Sequence, residues 1–453
     1  MGLLLTRGWL LLYKLSILID RMFSDIPIFF KFDLDTQKQL NSLATILPFS
    51  FQQRKIICEH LADFIAWQKG TLLSIIQDFQ FPFLSIAGQE FFLVDNNIDL
   101  KLCAKKFFQK VEELHIRCIN EKKDYAPYRS LVSNRSKNCF TTRQVNPPST
   151  ILGPCPVASK KTRCCNLMTL DAVMQCGFDC SYCSIQSFYY DNQVSFVSPL
   201  KDSLDKINLN PNRRYHIGTG QSSDSLMWGN KDGLLEELFT FAKNNPNVIL
   251  EMKSKSDNID WIVKRAQTTG VPKNVIFTWS LNSEDVVLVE ERYTASLKQR
   301  IVAASKIAQV GLPVGFHLHP IVYYKNWQED YRYVIELVTS SFSKEQIITI
   351  SFGTLTFIKS VIKKIKQRLM PSPILQMPLV PSAGKLTYPY NIKRELFSTI
   401  YSYFPKEWQE NVFFYLCMEE IGLWHEVFGF EYSSNDEFEK AMLDHYFNFI
   451  NSH

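Results

Sequence analysis

Three cysteines in the stretch MTLDAVMQCGFDCSYCSIQ, Cys176, Cys180 and Cys183, carry the clearest chemistry in this chain. Their C-x3-C-x2-C spacing puts three thiolates on one tight loop. That is enough to bind three irons of a cubane [4Fe–4S] cluster and leave the fourth iron without a protein ligand. S-adenosylmethionine can chelate the open iron through its amino and carboxylate groups. One-electron reduction then breaks a carbon–sulfur bond and releases a 5′-deoxyadenosyl radical. A structural zinc site is the alternative, but it asks for a second C-x2-C or a paired histidine motif, and the sequence has neither. A thioredoxin-like redox motif would use two cysteines, not three.

The loop needs a frame to hold it, and the pattern around it supplies one. Strand-like runs occur at 168–175, 215–220, 248–253, 275–281, 314–322 and 347–357, with helical periodicity between most of them. After the fourth run, Leu297, Ile301, Ala304 and Ala308 fall on one helix face. Ser296 caps its start, and Gly311 with Pro313 marks its end. This predicts a βαβ unit with a parallel pair and a right-handed crossover. Six such strands fit a doubly wound sheet or a partial barrel equally well, and in either one ligands sit at the carboxyl ends of the strands. Residues 1–150 read as a helix-rich N-terminal region of unknown role, and 151–370 as the α/β core. Past Pro371, Pro373, Pro378 and Pro381, residues 371–453 read as a mainly helical region with possible substrate contacts.

Bulk properties narrow the setting. Charged residues make up 21% and apolar ones 46%, which excludes wholesale disorder. A net charge of +5 permits an anionic partner without arguing for one. Arg7 and Lys14 interrupt the apolar start, so no membrane span is expected there, and a peripheral amphipathic helix or a start at Met22 are the other readings. Seven of the eleven cysteines fall between residues 139 and 183. That clustering reads as metal ligation in a reducing cytoplasm, not as a disulfide framework.

The motif C-x3-C-x-Y-C after a first strand resembles the radical SAM superfamily, whose core is a partial (β/α)6 barrel. The segment WSLNSEDVVLVEERYTASLKQRIVAASKIAQVGLPVGFHLHPIV resembles the spore photoproduct lyase family, as do KSKSDNIDWI, GKLTYPYNIKREL and VFFYLCMEEIGLWHEVFG. The CP-x7-CC pattern (Cys155, Pro156, Cys164, Cys165) fits that family's broader, non-spore-forming branch. The resemblance covers about residues 150–430. It implies a cluster on Cys176, Cys180 and Cys183, with Tyr182 touching the adenine of the cofactor. It also implies Gly218, Gly220, Ser222, Ser223, Asp224, Lys255, Ser280 and Asn282 around the rest of S-adenosylmethionine. Tyr388, Tyr390 and Arg394 would contact a DNA lesion, and a flavodoxin or ferredoxin would supply electrons. The basic run from Lys359 to Arg368 offers a face of Lys359, Lys363 and Lys366 for phosphates, although such runs are usually solvated helix faces.

Two positions depart from the family. Its hydrogen-donating cysteine after the second strand is matched by Gln221, and the tyrosine after the last cluster cysteine by Ser184. Cys417 is the candidate replacement donor, against the plainer reading of a core cysteine between Leu416 and Met418. Cys155, Cys164 and Cys165, with Cys139, are candidates for an auxiliary cluster. Adjacent cysteines seldom share one tetrahedral metal, so thiols packed beside the main site are the favoured reading. The expected activity is radical, lyase-type chemistry on a DNA photolesion or related nucleobase. The alternatives are the same chemistry on a non-DNA substrate, or a non-enzymatic, metal-stabilised nucleic-acid-binding module.

Overall fold

The computed structural model describes residues 22–452 apart from 82, 88–89, 94–97, 132–139, 147, 156–161, 188–192 and 383. The readings made on residues 1–21, Cys139 and Pro156 lie outside the described residues. The chain divides into two compact units, 1–123 with 362–378, and 124–361 with 379–453. The partition runs otherwise than at 150 and 370: residues 362–378, with Pro371, Pro373 and Pro378, group with the N-terminal unit, and Pro381 with the second.

In the first unit the described helices are Leu34–Ile46, Phe51–Ala66, Leu72–Phe79 and Leu100–Asn120. Each starts where a side-chain oxygen accepts from an otherwise orphaned N–H: Asp33, Ser50, Thr71 and Asp99. Ser50 and Gln53 complete a reciprocal capping box. Phe23, Leu40, Ile57, Phe64 and Phe107 lie in its buried core.

The second unit is built on an eight-stranded sheet. In chain order its strands are β1 (Leu152–Pro154), β2 (Met168–Leu170), β3 (Tyr215–Gly218), β4 (Val248–Ser254), β5 (Val275–Ser280), β6 (Val314–Ile321), β7 (Ile347–Thr354) and β8 (Phe413–Leu416). Spatial order follows chain order from β1 to β8. All neighbours are parallel except β1 on β2. Every residue of β5 and β7 is buried, as expected where helices cover one face and a filled barrel lumen the other. The six expected strands are all present, and the choice between open sheet and barrel falls to the partial barrel. Two strands were not anticipated. β1 is only three residues long, and β8 lies inside a region that reads as helical. Between β5 and β6 the helix Leu297–Gln309 begins at a Ser296–Gln299 capping box, and Gly311 takes φ +76° just past its end.

The lumen holds a chain of polar side chains across five strands. Glu251 on β4 binds His216 of β3 at 2.9 Å, Thr278 of β5 at 2.6 Å and His317 of β6 at 2.6 Å. His317 Nδ1 meets Ser351 of β7 at 2.5 Å, and Ser351 meets His319 at 3.0 Å. Burial alone would raise the Glu251 carboxyl, but the facing imidazoles, His317 foremost, hold it well below the usual range. Burial, then Lys253, pulls His317 down to about 4. The arrangement is therefore a buried carboxylate receiving hydrogen bonds from His216, Thr278 and His317, which satisfy a charge that would otherwise be costly to bury.

Candidate active site at the cysteine loop

Cys176, Cys180 and Cys183 lie in the loop that follows β2, at the end of the barrel where the parallel strands terminate. A short antiparallel ladder pins that loop: Cys180 pairs with Glu291 and Asp179 with Arg292. Ser181 N–H donates to the Glu290 carbonyl at 2.8 Å, and its hydroxyl donates to the Glu290 carboxylate. The Tyr182 hydroxyl donates to Glu291. Glu291 also receives Arg300 Nη1 at 2.6 Å and has Lys255 Nζ at 3.8 Å. Burial pushes the Glu291 carboxyl up, but Arg300 and Lys255 overcome it and hold the group below its ordinary value. The ERYTASLKQRI segment thus has a physical role. Buried Glu291 and Arg300, with half-buried Thr294, form a clamp on the cysteine loop, Arg300 Nη2 donating to Thr294 at 2.6 Å.

Cys176, Cys180 and Cys183 are half-buried residues. Burial, and for Cys176 also Asp224, raises the thiols of Cys176 and Cys180 in the absence of a metal. Three thiolates on one pinned loop, each able to take its own iron, suit a cubane cluster.

A cavity of about 290 Å³ opens beside the loop, with Tyr182, Cys183, Ser184, Gly220, Gln221, His319, Lys393 and Cys417 in its wall. Cys417, immediately after β8, is therefore brought to the cysteine loop although more than 230 residues separate it from Cys183. Gln221 and Ser184 line the same space. His319, Lys393 and Glu420 were missed in the sequence. Lone histidines and lysines carry no periodic signal, and only the barrel's closure aims them inward.

Several residues expected at the cofactor have partners inside the protein. Asp224 Oδ1 accepts from Leu226, Met227 and Ser254, and its Oδ2 from the Lys255 backbone at 2.7 Å. Ser222 donates to the Val173 carbonyl at 2.8 Å, and Ser223 accepts from Trp228 Nε1 at 3.0 Å. These three residues shape the loop after β3. Asn282 is fully buried, with its amide donating to the Pro320 carbonyl and accepting from the Tyr331 hydroxyl. Ser280 is buried at the end of β5, and its carbonyl accepts from Arg300. A Cβ on Gly220 would lie 2.5 Å from the Lys253 carbonyl oxygen, so glycine is needed there by strand packing before any cofactor is considered. Gly218 has only ordinary contact with Leu167 at 3.4 Å. Lys255 does come to Tyr182, its Nζ 6.0 Å from the ring centre. Tyr388 is 1% exposed and accepts from the Tyr323 N–H, so it is core and cannot touch a lesion. Tyr390 and Arg394 are exposed and share Glu426. The basic run is the helix Lys359–Arg368, but its Lys366 is held by Asp63 at 2.7 Å and is not free for phosphate.

Residues 207–385 match the family profile described as spore photoproduct lyase. Over that stretch the chain is similar to the spore photoproduct lyase family. Spore photoproduct lyase of Bacillus subtilis (strain 168) is 34% identical over 76 residues, 17% of this chain and 22% of that protein, so the match spans about a fifth of the relative's length. The fold is that of the solved lyases. A spore photoproduct lyase complexed with dinucleoside spore photoproduct superposes with TM-score 0.52 at 18% identity, covering 69% of this chain and 94% of that one. A doubly substituted spore photoproduct lyase with bound AdoMet and dinucleoside spore photoproduct gives 0.50 at 18%, with the same coverage. The matched stretch contains β3 to β7, Gly218, Gly220, Lys255 and the Glu291–Arg300 clamp. Among the described residues no helix is long and apolar enough to cross a membrane.

Proposed function

We propose that this chain is a radical S-adenosylmethionine enzyme, with a [4Fe–4S] cluster on Cys176, Cys180 and Cys183, acting on a DNA photolesion or a related nucleobase. The observation that carries the reading is the cysteine loop at the mouth of a partial barrel, clamped by Glu291 and opening onto a cavity walled by Tyr182 and Gly220. When bound, the cluster would supply the electron that splits S-adenosylmethionine and so generates the radical. The chain's own contribution is positional. Glu291 fixes Tyr182 beside the third cysteine, and Lys255 offers a cation for the cofactor carboxylate. The cavity wall keeps water from a radical formed within it. A flavodoxin or ferredoxin would serve as electron donor, and Tyr390 with Arg394 offers an exposed aromatic and cation for nucleic acid.

Gln221 and Ser184 in the cavity wall favour a second reading, the same chemistry on a substrate other than DNA. Anaerobic reconstitution followed by product analysis on UV-irradiated DNA tests both. Reductive formation of 5′-deoxyadenosine with lesion conversion supports the first reading. 5′-Deoxyadenosine without lesion conversion, and without salt-sensitive DNA binding, leaves the second. A colourless protein that forms no 5′-deoxyadenosine would overturn both.

A further inference from the structure

The polar chain in the barrel lumen ends in the cavity wall. His319 is half-buried and lines the cavity with Tyr182 and Cys183. Its Nε2 meets Ser351 at 3.0 Å, Ser351 meets His317 Nδ1 at 2.5 Å, and His317 Nε2 meets Glu251 at 2.6 Å. Side chains from β4, β6 and β7 thus run in single file from a buried carboxylate to the cavity. Thr278 and His216, at 2.6 and 2.9 Å, keep that carboxylate from turning away.

The hydrogens along this file give each bond a direction. The Glu251 carboxylate, ionised, can only accept, so His317 Nε2 carries a hydrogen. His317, pulled down to about 4, is neutral near neutral pH; its Nδ1 is a lone pair and receives the Ser351 hydroxyl hydrogen. Ser351 has no second hydrogen to give, so the bond to His319 comes from His319 Nε2–H. Burial, then Lys253 and His317, hold the His319 imidazole well below its ordinary value, so it too is neutral and its Nδ1 is a bare lone pair. Among the described residues no hydrogen bond is made to that nitrogen. Every bond in the file points toward Glu251, and bonds aligned in this way polarise one another.

We propose that His319 Nδ1 is a specificity-determining acceptor, taking a hydrogen bond from an N–H or O–H of the substrate bound in this cavity. Glu251, His317 and Ser351 are the positioning residues that fix its tautomer. The inference rests on the reading of the cavity as the substrate site of a radical enzyme. The opposite tautomer would offer Nδ1–H to a carbonyl or phosphate oxygen. The tautomer set by Glu251 turns a lone pair on such an oxygen and repels it, so the site selects a ring that presents an amide or imide N–H.

The test uses the reconstituted full-length holoenzyme and two probes, dinucleoside spore photoproduct and the same compound methylated on its ring imide nitrogens. Wild type should bind the methylated probe roughly tenfold to a hundredfold more weakly, as for a buried acceptor left without its donor. His319→Phe keeps a ring of similar size without the acceptor, so it should bind the two probes alike. A penalty that persists in His319→Phe is steric and would overturn the proposal, as would equal binding by the wild type. Ser351→Ala removes the bond that fixes the tautomer and should shrink the penalty; an unchanged penalty would overturn the role of the file. 15N NMR of the imidazoles, with the cluster in its diamagnetic oxidised state, reads the tautomer directly, the His319 signals being those lost in His319→Phe. They should show a protonated Nε2 and a bare Nδ1 in the wild type, and a mixture in Ser351→Ala. A wild-type His319 with hydrogen on Nδ1 would overturn the proposal whatever the probes do. If neither probe binds but Nδ1 is bare, the acceptor stands and the photolesion reading falls.

Discussion

Gly220 offers the sharpest test of why the loop after β3 has the sequence it has. A Cβ there would sit 2.5 Å from the Lys253 carbonyl oxygen and 3.0 Å from the Lys253 Cβ. The first obstacle is backbone of an interior strand, which cannot rotate away. The same carbonyl already accepts from Ser225 N–H at 3.2 Å. Relief requires β4 and the loop to part, and overpacking of that kind costs about 1–3 kcal/mol. In a unit of this size each kcal/mol lowers Tm by about 2–4 °C, so Gly220→Ala should melt roughly 2–12 °C below wild type. Gly218→Ala is the matched control. Its nearest neighbour would be a Leu167 methyl at 3.4 Å, ordinary contact, and its Tm should stay near wild type. Circular dichroism melts read the stability, and 5′-deoxyadenosine formation reads the cofactor's own demand for space. A Gly220→Ala chain as stable as wild type would refute the packing argument and return that glycine to the cofactor. Equal destabilisation by both variants would refute it as well.

Three further expectations follow from buried charges. Lys393 and Glu419 pair at 2.8 Å with both side chains nearly fully buried, so Lys393→Met should cost about 3–5 kcal/mol near neutral pH. Burial already raises the Glu419 carboxyl, and losing the lysine raises it further. A group raised on folding is stabilising when protonated and loses that stabilisation as pH rises, so the Lys393→Met defect should shrink toward pH 5; urea titrations showing a pH-independent defect would count against it. Glu291→Gln strands the buried Arg300 beside a neutral amide and should cost about 3–5 kcal/mol, and a loss under about 1 kcal/mol in the same titration would show that the clamp does not bear on the fold. In the N-terminal unit, burial and the stacked His115 ring, 3.7 Å away, pull His60 down to about 3. The unfolded chain takes up that proton near pH 6.5 and the folded one does not. Stability should therefore be full above pH 6.5 and fall by up to about 2 kcal/mol by pH 5, visible in the fluorescence of Trp67, whose ring centre lies 5.0 Å from His115.

The parallel core was legible because its strands are buried on both faces and so read as continuous apolar runs, as in Val275–Ser280 and Ile347–Thr354. β1 and β8 were not, because three or four residues cannot show a period, and β8 is flanked on both sides by helical pattern. Local spacing picked out the cysteine loop as a unit. It did not show that Asp224, Asn282 and Tyr388 have partners inside the protein, because a polar or aromatic residue at a strand end reads the same whether it faces a ligand or closes an internal hydrogen bond.

The sequence by itself determined the cysteine loop, the order of the βα units and the capped helix at Leu297, since each depends on residues within a few positions of one another. The tertiary structure alone decided what surrounds that loop. Closing the sheet brings Glu291 onto Tyr182 and Cys417 into the cavity with Cys183, and it sets Thr162 against Glu420. Such contacts span from about one hundred to more than two hundred and fifty residues. Only the register of the parallel strands, fixed by burial of their apolar faces, specifies them.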